Sequence, residues 1–219
     1  MILTMLLGLA MTSPAGPTTS YLALGDSYTI GESVDESLRW PVQLAARLRA
    51  QGVALEDPRM VARTGWTTDE LSAAIDAESL AARYGFVSLL IGVNNQYRGR
   101  TLANYRTEFA ALLERAIGFA GGEADHVVVL SIPDWGVTPF ARQGDRDTKV
   151  IARELDAYNH AARAIAATRG VAYVDITGIS RDPGAQPAML AHDGLHPSGA
   201  QYALWAEAAE AVVLRLLGR

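Results

Sequence analysis

The amino-acid sequence predicts an α/β fold built on a five-stranded parallel sheet with helices on both faces. Five short segments are apolar along most of their length, as expected for strands that are buried on both sides of a sheet. Segments with apolar residues at helical spacing lie between them, so strands and helices alternate along the chain. No internal repeat or linker interrupts this order, and we therefore predict a single domain over residues 16–219.

The five predicted strands are recognised by their apolar runs and by the turn residues that follow them. The second is weaker than the others, and the fourth is the clearest. The predicted strands are SYLALG (20–25), PRMVAR (58–63), FVSLLIG (86–92), HVVVLSI (126–132) and VAYVDI (171–176).

The predicted helices begin and end at residues typical of helix termini. Trp40-Pro41 opens the first long helix, since proline is tolerated in a first turn, and Gly52 ends it. Thr67 and Glu70 have the spacing of a capping box. Apolar periodicity predicts three further helices, over 101–119, around 151–165 and around 205–216. The stretch 133–147 has no periodicity, and long loops of this kind are often functional.

Composition and charge argue against several functions. The formal net charge is −5, and no cluster of basic residues offers a nucleic-acid surface. The single lysine, Lys149, is isolated, and the phosphate-loop pattern G-x-x-x-x-G-K is absent. The chain contains no cysteine, which excludes a cysteine nucleophile, disulfides and thiolate metal sites.

The first twenty residues resemble an export signal. Residues 2–11 form an apolar run, and Ser13-Pro14-Ala15 places small residues at the −3 and −1 positions of a cut after Ala15. We therefore predict a signal peptide over 1–15 and a periplasmic or secreted protein, although no basic residue precedes the run. The alternative is that these residues form an apolar first helix or follow from a wrongly assigned start. The protein would then be cytoplasmic. The run is too short to form a stable membrane anchor.

Residues whose side chains could take part in catalysis follow the predicted strands. In an open parallel sheet, ligands bind beyond the carboxyl ends of the strands. Ser27 follows the first strand in GDSYTIGE, Gly65 follows the second in RTGWTT, and Asn94 follows the third in GVNNQYRG. Asp193 and His196 lie in DGLHPSG, before the last helix. Each pattern alone is common in turns, but together they provide a hydroxyl, an imidazole, a carboxylate and hydrogen-bond donors, the set that acyl transfer requires.

These blocks also carry a family resemblance. The order GDS, glycine, GVNN and DGLHP over residues 22–199 resembles the SGNH hydrolases, also called the GDSL lipase/esterase family. The resemblance implies a three-layer α/β/α, flavodoxin-like fold and an enzyme that acts on ester bonds, as a carboxylesterase, lipase or acyl-thioesterase. Two positions depart from the family pattern: Tyr28 replaces the leucine after the serine, and Asn95 replaces the usual aspartate. The pattern G-x-S-x-G of other hydrolases is absent around Ser27.

The resemblance implies a role for each matching residue. Ser27 would be the nucleophile, His196 the general base and then the general acid, and Asp193 the group that orients the imidazole. The backbone N–H groups of Ser27 and Gly65 and the side-chain amide of Asn94 would form the oxyanion hole. This mechanism acts on a small-molecule ester and needs no cofactor and no metal.

Three aromatic residues lie in loops at the same edge of the predicted sheet. Trp66, Trp135 and Phe140 are candidates for the wall of a substrate pocket. Local packing is the alternative role for each of them, because it is the more common fate of aromatic residues in loops.

Two other classes of protein remain open. His192, Asp193 and His196 could instead be the ligands of a metal-dependent hydrolase, although Gly194 and Pro197 argue against the helix that the spacing of the histidines would need. A flavodoxin-like binding module without catalysis would explain the sheet. It gives no reason for these polar segments to converge on one edge.

Overall fold

Five parallel strands form the central sheet of the computed structural model, which describes residues 18–218. The strand order is β2-β1-β3-β4-β5, with every neighbouring pair parallel, which is the flavodoxin-like order. The predicted sheet is therefore confirmed. The predicted export signal over 1–15 lies outside the described residues and stays a prediction. The strands are β1 (Tyr21–Gly25), β2 (Arg59–Ala62), β3 (Phe86–Leu90), β4 (Val127–Leu130) and β5 (Ala172–Val174).

The position of each strand in the sheet explains its sequence. Every residue of the central strands β1, β3 and β4 is buried, which is why these segments are apolar without alternation. The edge strand β2 has one buried residue, Val61, and this accounts for its weaker apolar pattern. Gly25 at the end of β1 is level with Ala62 of β2 and Leu90 of β3, so the segments that follow these strands leave the sheet at the same edge.

Helices cover both faces of the sheet. The connection from β1 to β2 runs toward one edge and the later connections run toward the other, so right-handed crossovers place their helices on opposite faces. On one face α2 packs against α9, and on the other α5 contacts α3 and α7. The helices are α1 (Ser27–Ile30), α2 (Trp40–Ala50), α3 (Thr68–Ala77), α4 (Val93–Tyr97), α5 (Leu102–Phe119), α6 (Pro139–Gln143), α7 (Thr148–Thr168), α8 (Thr177–Arg181) and α9 (Gly199–Leu216).

The segment after β4 differs from its prediction. The stretch 133–147 contains a 3₁₀ turn over Trp135–Val137 and the short helix α6. Thr138 caps α6 by accepting a hydrogen bond from the backbone N–H of Ala141. Both elements are too short to produce an apolar period, so the prediction that this stretch lacks regular structure is wrong.

The core lies on both sides of the sheet. Its largest fully buried side chains include Trp40 of α2 and Trp205 of α9, on the face where these helices meet. Tyr105 and Phe109 of α5 fill the opposite face. Among the helices within residues 18–218, none combines the length and the hydropathy that a bilayer span requires.

Candidate active site

A tight turn between β1 and α1 presents Ser27 at the edge of the sheet. A Cβ atom on Gly25 would lie 2.5 Å from the carbonyl oxygen of Leu90 and would collide with the Thr29 hydroxyl, so only glycine allows the strand to meet the helix here. The carboxylate of Asp26 accepts a hydrogen bond from the backbone N–H of Tyr28 at 3.0 Å and caps α1. Ser27, the residue between them, is therefore held at the first position of a short helix.

The loop before α9 holds His196 through Asp193. Oδ1 of Asp193 accepts hydrogen bonds from the backbone N–H groups of Leu195 and His196, both at 2.9 Å. Oδ2 of Asp193 contacts Nδ1 of His196 at 2.7 Å. Gly194, between them, has a φ of 67°, a left-handed conformation that glycine adopts freely. The carboxylate therefore fixes both the backbone of the loop and the orientation of the imidazole ring.

The charge state of Asp193 follows from these contacts. Burial would raise its pKa, but the hydrogen bonds from the His196 ring, from the backbone of Leu195 and His196, and from the Ser33 hydroxyl outweigh burial and hold the pKa well below its usual range. Asp193 is therefore ionised at neutral pH and accepts the Nδ1 proton of His196. Nε2 of the ring is then left as a proton acceptor.

The two remaining predicted donors come from the segments after β2 and β3. Gly65 has a φ of 87°, and its carbonyl oxygen accepts a hydrogen bond from Arg98 at 2.6 Å. Nδ2 of Asn94 donates to the carbonyl oxygen of Trp66 at 2.9 Å. Since the amide nitrogen carries two hydrogens, this bond orients the amide and leaves its second hydrogen free to donate.

One cavity brings these residues together. Ser27, Gly65, Asn94 and His196 line a cavity of about 190 Å³ at the carboxyl edge of the sheet. Ser27 and His196 are both buried, which limits the access of bulk water to them. Four segments that are distant in sequence therefore meet around a space of the size that a small substrate group requires.

Aromatic side chains form another part of the cavity lining. We call Tyr97, Trp135 and Phe140 the aromatic wall; Trp135 lies 5.3 Å from Tyr97 and 6.2 Å from Phe140 between ring centroids. Nε1 of the buried Trp135 donates to Oε1 of Gln96 at 2.9 Å. Tyr97 and Phe140 are 49% and 41% exposed, so they form the rim. A second cavity of about 360 Å³ lies behind the same three residues and extends to Arg146.

The structure separates the three aromatic residues that the sequence grouped. Trp135 and Phe140 line the cavity, whereas Trp66 does not. The side chain of Trp66 is partly buried and packs against the hydrophobic core, while its backbone carbonyl holds Asn94. The expectation that Trp66 forms part of the pocket wall is therefore wrong, and the alternative, local packing, describes its role.

Asn95 has a partner that explains its departure from the family pattern. The buried amide accepts from the backbone N–H of Thr68 at 3.0 Å and donates to the Thr68 hydroxyl at 2.6 Å and to Glu108 at 3.5 Å. An aspartate could not donate here, and it would place a second carboxylate beside that of Glu108. Asn95 therefore joins the start of α4, which carries Asn94, to the start of α3.

Three residues of the candidate site have no signal in the local sequence. Tyr97 lies three residues after Asn94 on α4 and lines the cavity. Arg98 donates a hydrogen bond to the carbonyl of Gly65 and forms a 3.0 Å ion pair with Glu70. Ser33 donates a hydrogen bond to Asp193 across 160 residues of sequence.

The metal-ligand alternative finds no geometric support in the described part of the chain. His192 is exposed, and Nδ1 of His196 is engaged by Asp193. Among residues 18–218, no group of three or more His, Asp or Glu side chains is arranged to hold a metal ion.

The fold and the residues at its edge define a class, the ester-hydrolysing enzymes built on a flavodoxin-like sheet. More particularly, the chain belongs to the GDSL-like lipase/acylhydrolase family, whose model matches residues 23–204. The resemblance found in the sequence is thereby confirmed.

Solved structures with the same fold include members of this family. The chain superimposes on TesA with a TM-score of 0.68 at 22% identity, covering 90% of this chain and 99% of TesA. A lipase/acylhydrolase from Enterococcus faecalis gives a TM-score of 0.70 at 20% identity, with 92% and 97% covered. The psychrotrophic esterase EstA from Pseudoalteromonas sp., solved in a form inhibited by monoethylphosphonate, gives 0.66 at 15% identity, with 92% and 100% covered. A comparison with curated protein sequences finds no match.

Proposed function

We propose that this acylhydrolase is a serine esterase that hydrolyses carboxylic esters through an acyl-enzyme intermediate on Ser27. The observation that carries the proposal is the 2.7 Å contact between Asp193 and Nδ1 of His196, on a ring that lines the same cavity as Ser27. An ionised carboxylate on Nδ1 leaves Nε2 as the base, which is what a serine nucleophile needs.

In the acylation step, Nε2 of His196 takes the proton of the Ser27 hydroxyl while Oγ attacks the ester carbonyl carbon. The carbonyl π electrons move to its oxygen, and the resulting oxyanion accepts hydrogen bonds from the backbone N–H groups of Ser27 and Gly65 and from Nδ2 of Asn94. The tetrahedral intermediate then collapses, the ester C–O bond breaks, and His196 gives its proton to the departing alcohol.

In the deacylation step, water replaces the alcohol and the same groups act again. Nε2 of His196 takes a proton from water, and the hydroxide attacks the acyl carbon to form a second oxyanion. Collapse of this intermediate returns the proton to Oγ of Ser27 and releases the carboxylic acid. Asp193 stays ionised throughout and stabilises the imidazolium of each step.

Active-site labelling combined with an ester assay tests the proposal. The wild-type protein should hydrolyse a chromogenic short-chain ester, and a fluorophosphonate should react once with the Ser27 oxygen and displace fluoride. The phosphonate in the EstA structure supports this choice of probe. Ser27→Ala should lose both properties. The exposed Ser79 provides a control, and Ser79→Ala should label and hydrolyse as the wild type does.

Two results would contradict the serine-esterase proposal. Full activity in folded Ser27→Ala, or equal labelling of that variant, would remove the protein from the serine hydrolases. Loss of wild-type activity in a chelator, restored by a divalent cation, would favour the metal-dependent alternative.

A further inference from the structure

Ser33 has an unusual backbone conformation for its residue type. Within residues 18–218 it is the one residue other than glycine with a positive φ, at 65°. A side chain with a Cβ atom costs free energy in this left-handed region, and such residues persist where the surrounding structure holds them. Ser33 lies six residues after Ser27, in the turn that follows α1 and its left-handed C-cap Gly31.

The strained residue makes one long-range contact with its side chain. Oγ of Ser33 donates to Oδ2 of Asp193 at 2.7 Å, and Oδ2 is also the oxygen that contacts Nδ1 of His196. The contact joins the segment after Ser27 to the loop that carries His196. A residue in a strained conformation that contacts the Asp–His pair suggests a role beyond shaping the turn.

With Ser33 in place, every acceptor site of the Asp193 carboxylate is used. A carboxylate has about four lone-pair sites, two on each oxygen. Oδ1 receives the backbone N–H groups of Leu195 and His196, and Oδ2 receives the His196 ring and the Ser33 hydroxyl. Three of these donors belong to the same short loop. Ser33 is the donor that ties the carboxylate to the segment of Ser27.

The neighbour of Ser33 anchors the same segment to Thr64, another residue that lines the cavity. The carboxylate of Glu32 accepts a hydrogen bond from the hydroxyl of Thr64, the residue before Gly65. The backbone N–H of Glu32 donates to the carbonyl of Ser27 at 3.0 Å. The turn 31–34 is therefore fixed to Ser27, to the Gly65 segment and to Asp193, which makes it a rigid support for the hydroxyl.

We propose that Ser33 is a positioning residue: its hydroxyl fixes the plane of the Asp193 carboxylate and, through it, the orientation of the His196 ring toward Ser27. This inference rests on the proposed serine-esterase function. It assigns Ser33 no contact with the substrate and no proton transfer. The role predicts a loss in kcat with little change in KM, because Ser33 acts on the base and not on substrate binding.

Ser33→Gly separates this role from a structural one. Glycine removes the hydroxyl and also relieves the backbone strain, so thermal stability should stay equal or rise while kcat falls about tenfold, the factor that corresponds to 1.4 kcal/mol. The exposed Ser37 lies in the same segment and provides the control: Ser37→Gly should keep the wild-type kcat.

A double-mutant cycle with Asp193 completes the test. Because the hydroxyl acts through the carboxylate, Ser33→Gly should cause no further loss of kcat in the Asp193→Ala background. A wild-type kcat in Ser33→Gly would overturn the positioning role, and so would the same tenfold loss in both backgrounds. Either result would leave the esterase proposal intact. Failure of the esterase proposal would instead show in the wild-type protein, as absent ester hydrolysis or absent labelling of Ser27.

Discussion

The two sides of the cavity are held in place by different forces. On the polar side, four hydrogen bonds to Asp193 fix the loop of His196, and further hydrogen bonds orient Gly65 and Asn94. On the aromatic side, ring contacts of 5.3 and 6.2 Å and one hydrogen bond from Trp135 hold the wall. Hydrogen bonds are directional and define the positions of atoms, whereas apolar contacts define a volume. We therefore expect the polar side to set the reaction and the aromatic side to set the range of substrates.

The largest effect should come from removing the proposed proton-transfer pair, Ser27 and His196, on the polar side. Ser27→Ala and His196→Ala should each lower kcat for a chromogenic ester by about 10⁴-fold or more, and the double variant should be little worse than either single variant. The reason is that, in the proposed mechanism, the two residues act as one unit. Asp193→Asn should lower kcat by the same factor or by less, because the nucleophile remains. Steady-state kinetics on folded variants measure this, and losses that multiply in the double variant would contradict it.

Removal of the amide of Asn94 should have the next largest effect. Asn94→Ala should lower kcat by about 10²–10³-fold, which corresponds to roughly 2.7–4 kcal/mol of transition-state stabilisation, and should leave KM nearly unchanged. Asn94→Asp keeps the shape but replaces the donor by a negative charge, so it should be at least as slow. A rise in KM with an unchanged kcat would place Asn94 in substrate binding instead.

The buried Asp26 beside Ser27 should make stability depend on pH. Burial raises the pKa of Asp26 from 3.8 to about 7, although backbone hydrogen bonds oppose the rise. The folded state thus binds a proton more tightly than the unfolded state, so stability is highest below the unfolded pKa and falls as the pH rises toward about 7. Between pH 5 and pH 8 the free energy of unfolding should fall by about 3 kcal/mol.

Asp26→Asn isolates this contribution. The amide oxygen can still accept the hydrogen bond from Tyr28, but it carries no charge to bury, so urea unfolding should show a flatter pH dependence. The Asp193 carboxylate does not interfere. Its lowered pKa affects stability only in acid, where stability is lost as the pH falls below its usual pKa. An unchanged pH slope in Asp26→Asn would refute the prediction.

The smallest effect concerns the aromatic side and should change selectivity with little change in rate. We expect the wild type to prefer short to medium acyl chains, since Trp135 and Phe140 close the cavity. Phe140→Ala should connect the cavity to the larger one behind it and raise kcat/KM for a long-chain ester, relative to butyrate, by about tenfold.

A control for this prediction is Leu38→Ala. Leu38 is another large exposed apolar residue, at 42%, but it does not line either cavity, so its removal should leave the chain-length profile unchanged. A panel of esters of increasing chain length measures the ratio. A wild type that already prefers the long chain would contradict the assignment of the wall.

The sequence predicts the polar side better than the aromatic side, for a physical reason. Buried parallel strands are apolar on both faces, so their ends can be found, and Ser27, Gly65 and Asn94 follow directly. Trp66 and Trp135 are both loop tryptophans near strand ends, and only tertiary packing decides which one faces the cavity. The contact between Ser33 and Asp193 spans 160 residues and has no local pattern at all.

The start of α6 does have a local signal in the sequence. Thr138-Pro139 combines a residue that caps helices with a proline at the first helical position, and α6 begins there. A helix of five residues has no apolar period, so terminus signals are the sole local indication of it.

The large sequence separation between the segments of the site also bears on the order of folding. Ser27 lies in the first turn after β1, whereas Asp193 and His196 precede α9, which must pack against α2 to complete its layer. Contacts between such distant segments form late, because the loop between them must close first. During synthesis on the ribosome, the turn that bears Ser27 emerges well before His196, its proposed base. In the nascent chain, the proposed site is therefore incomplete until α9 has left the exit tunnel and docked.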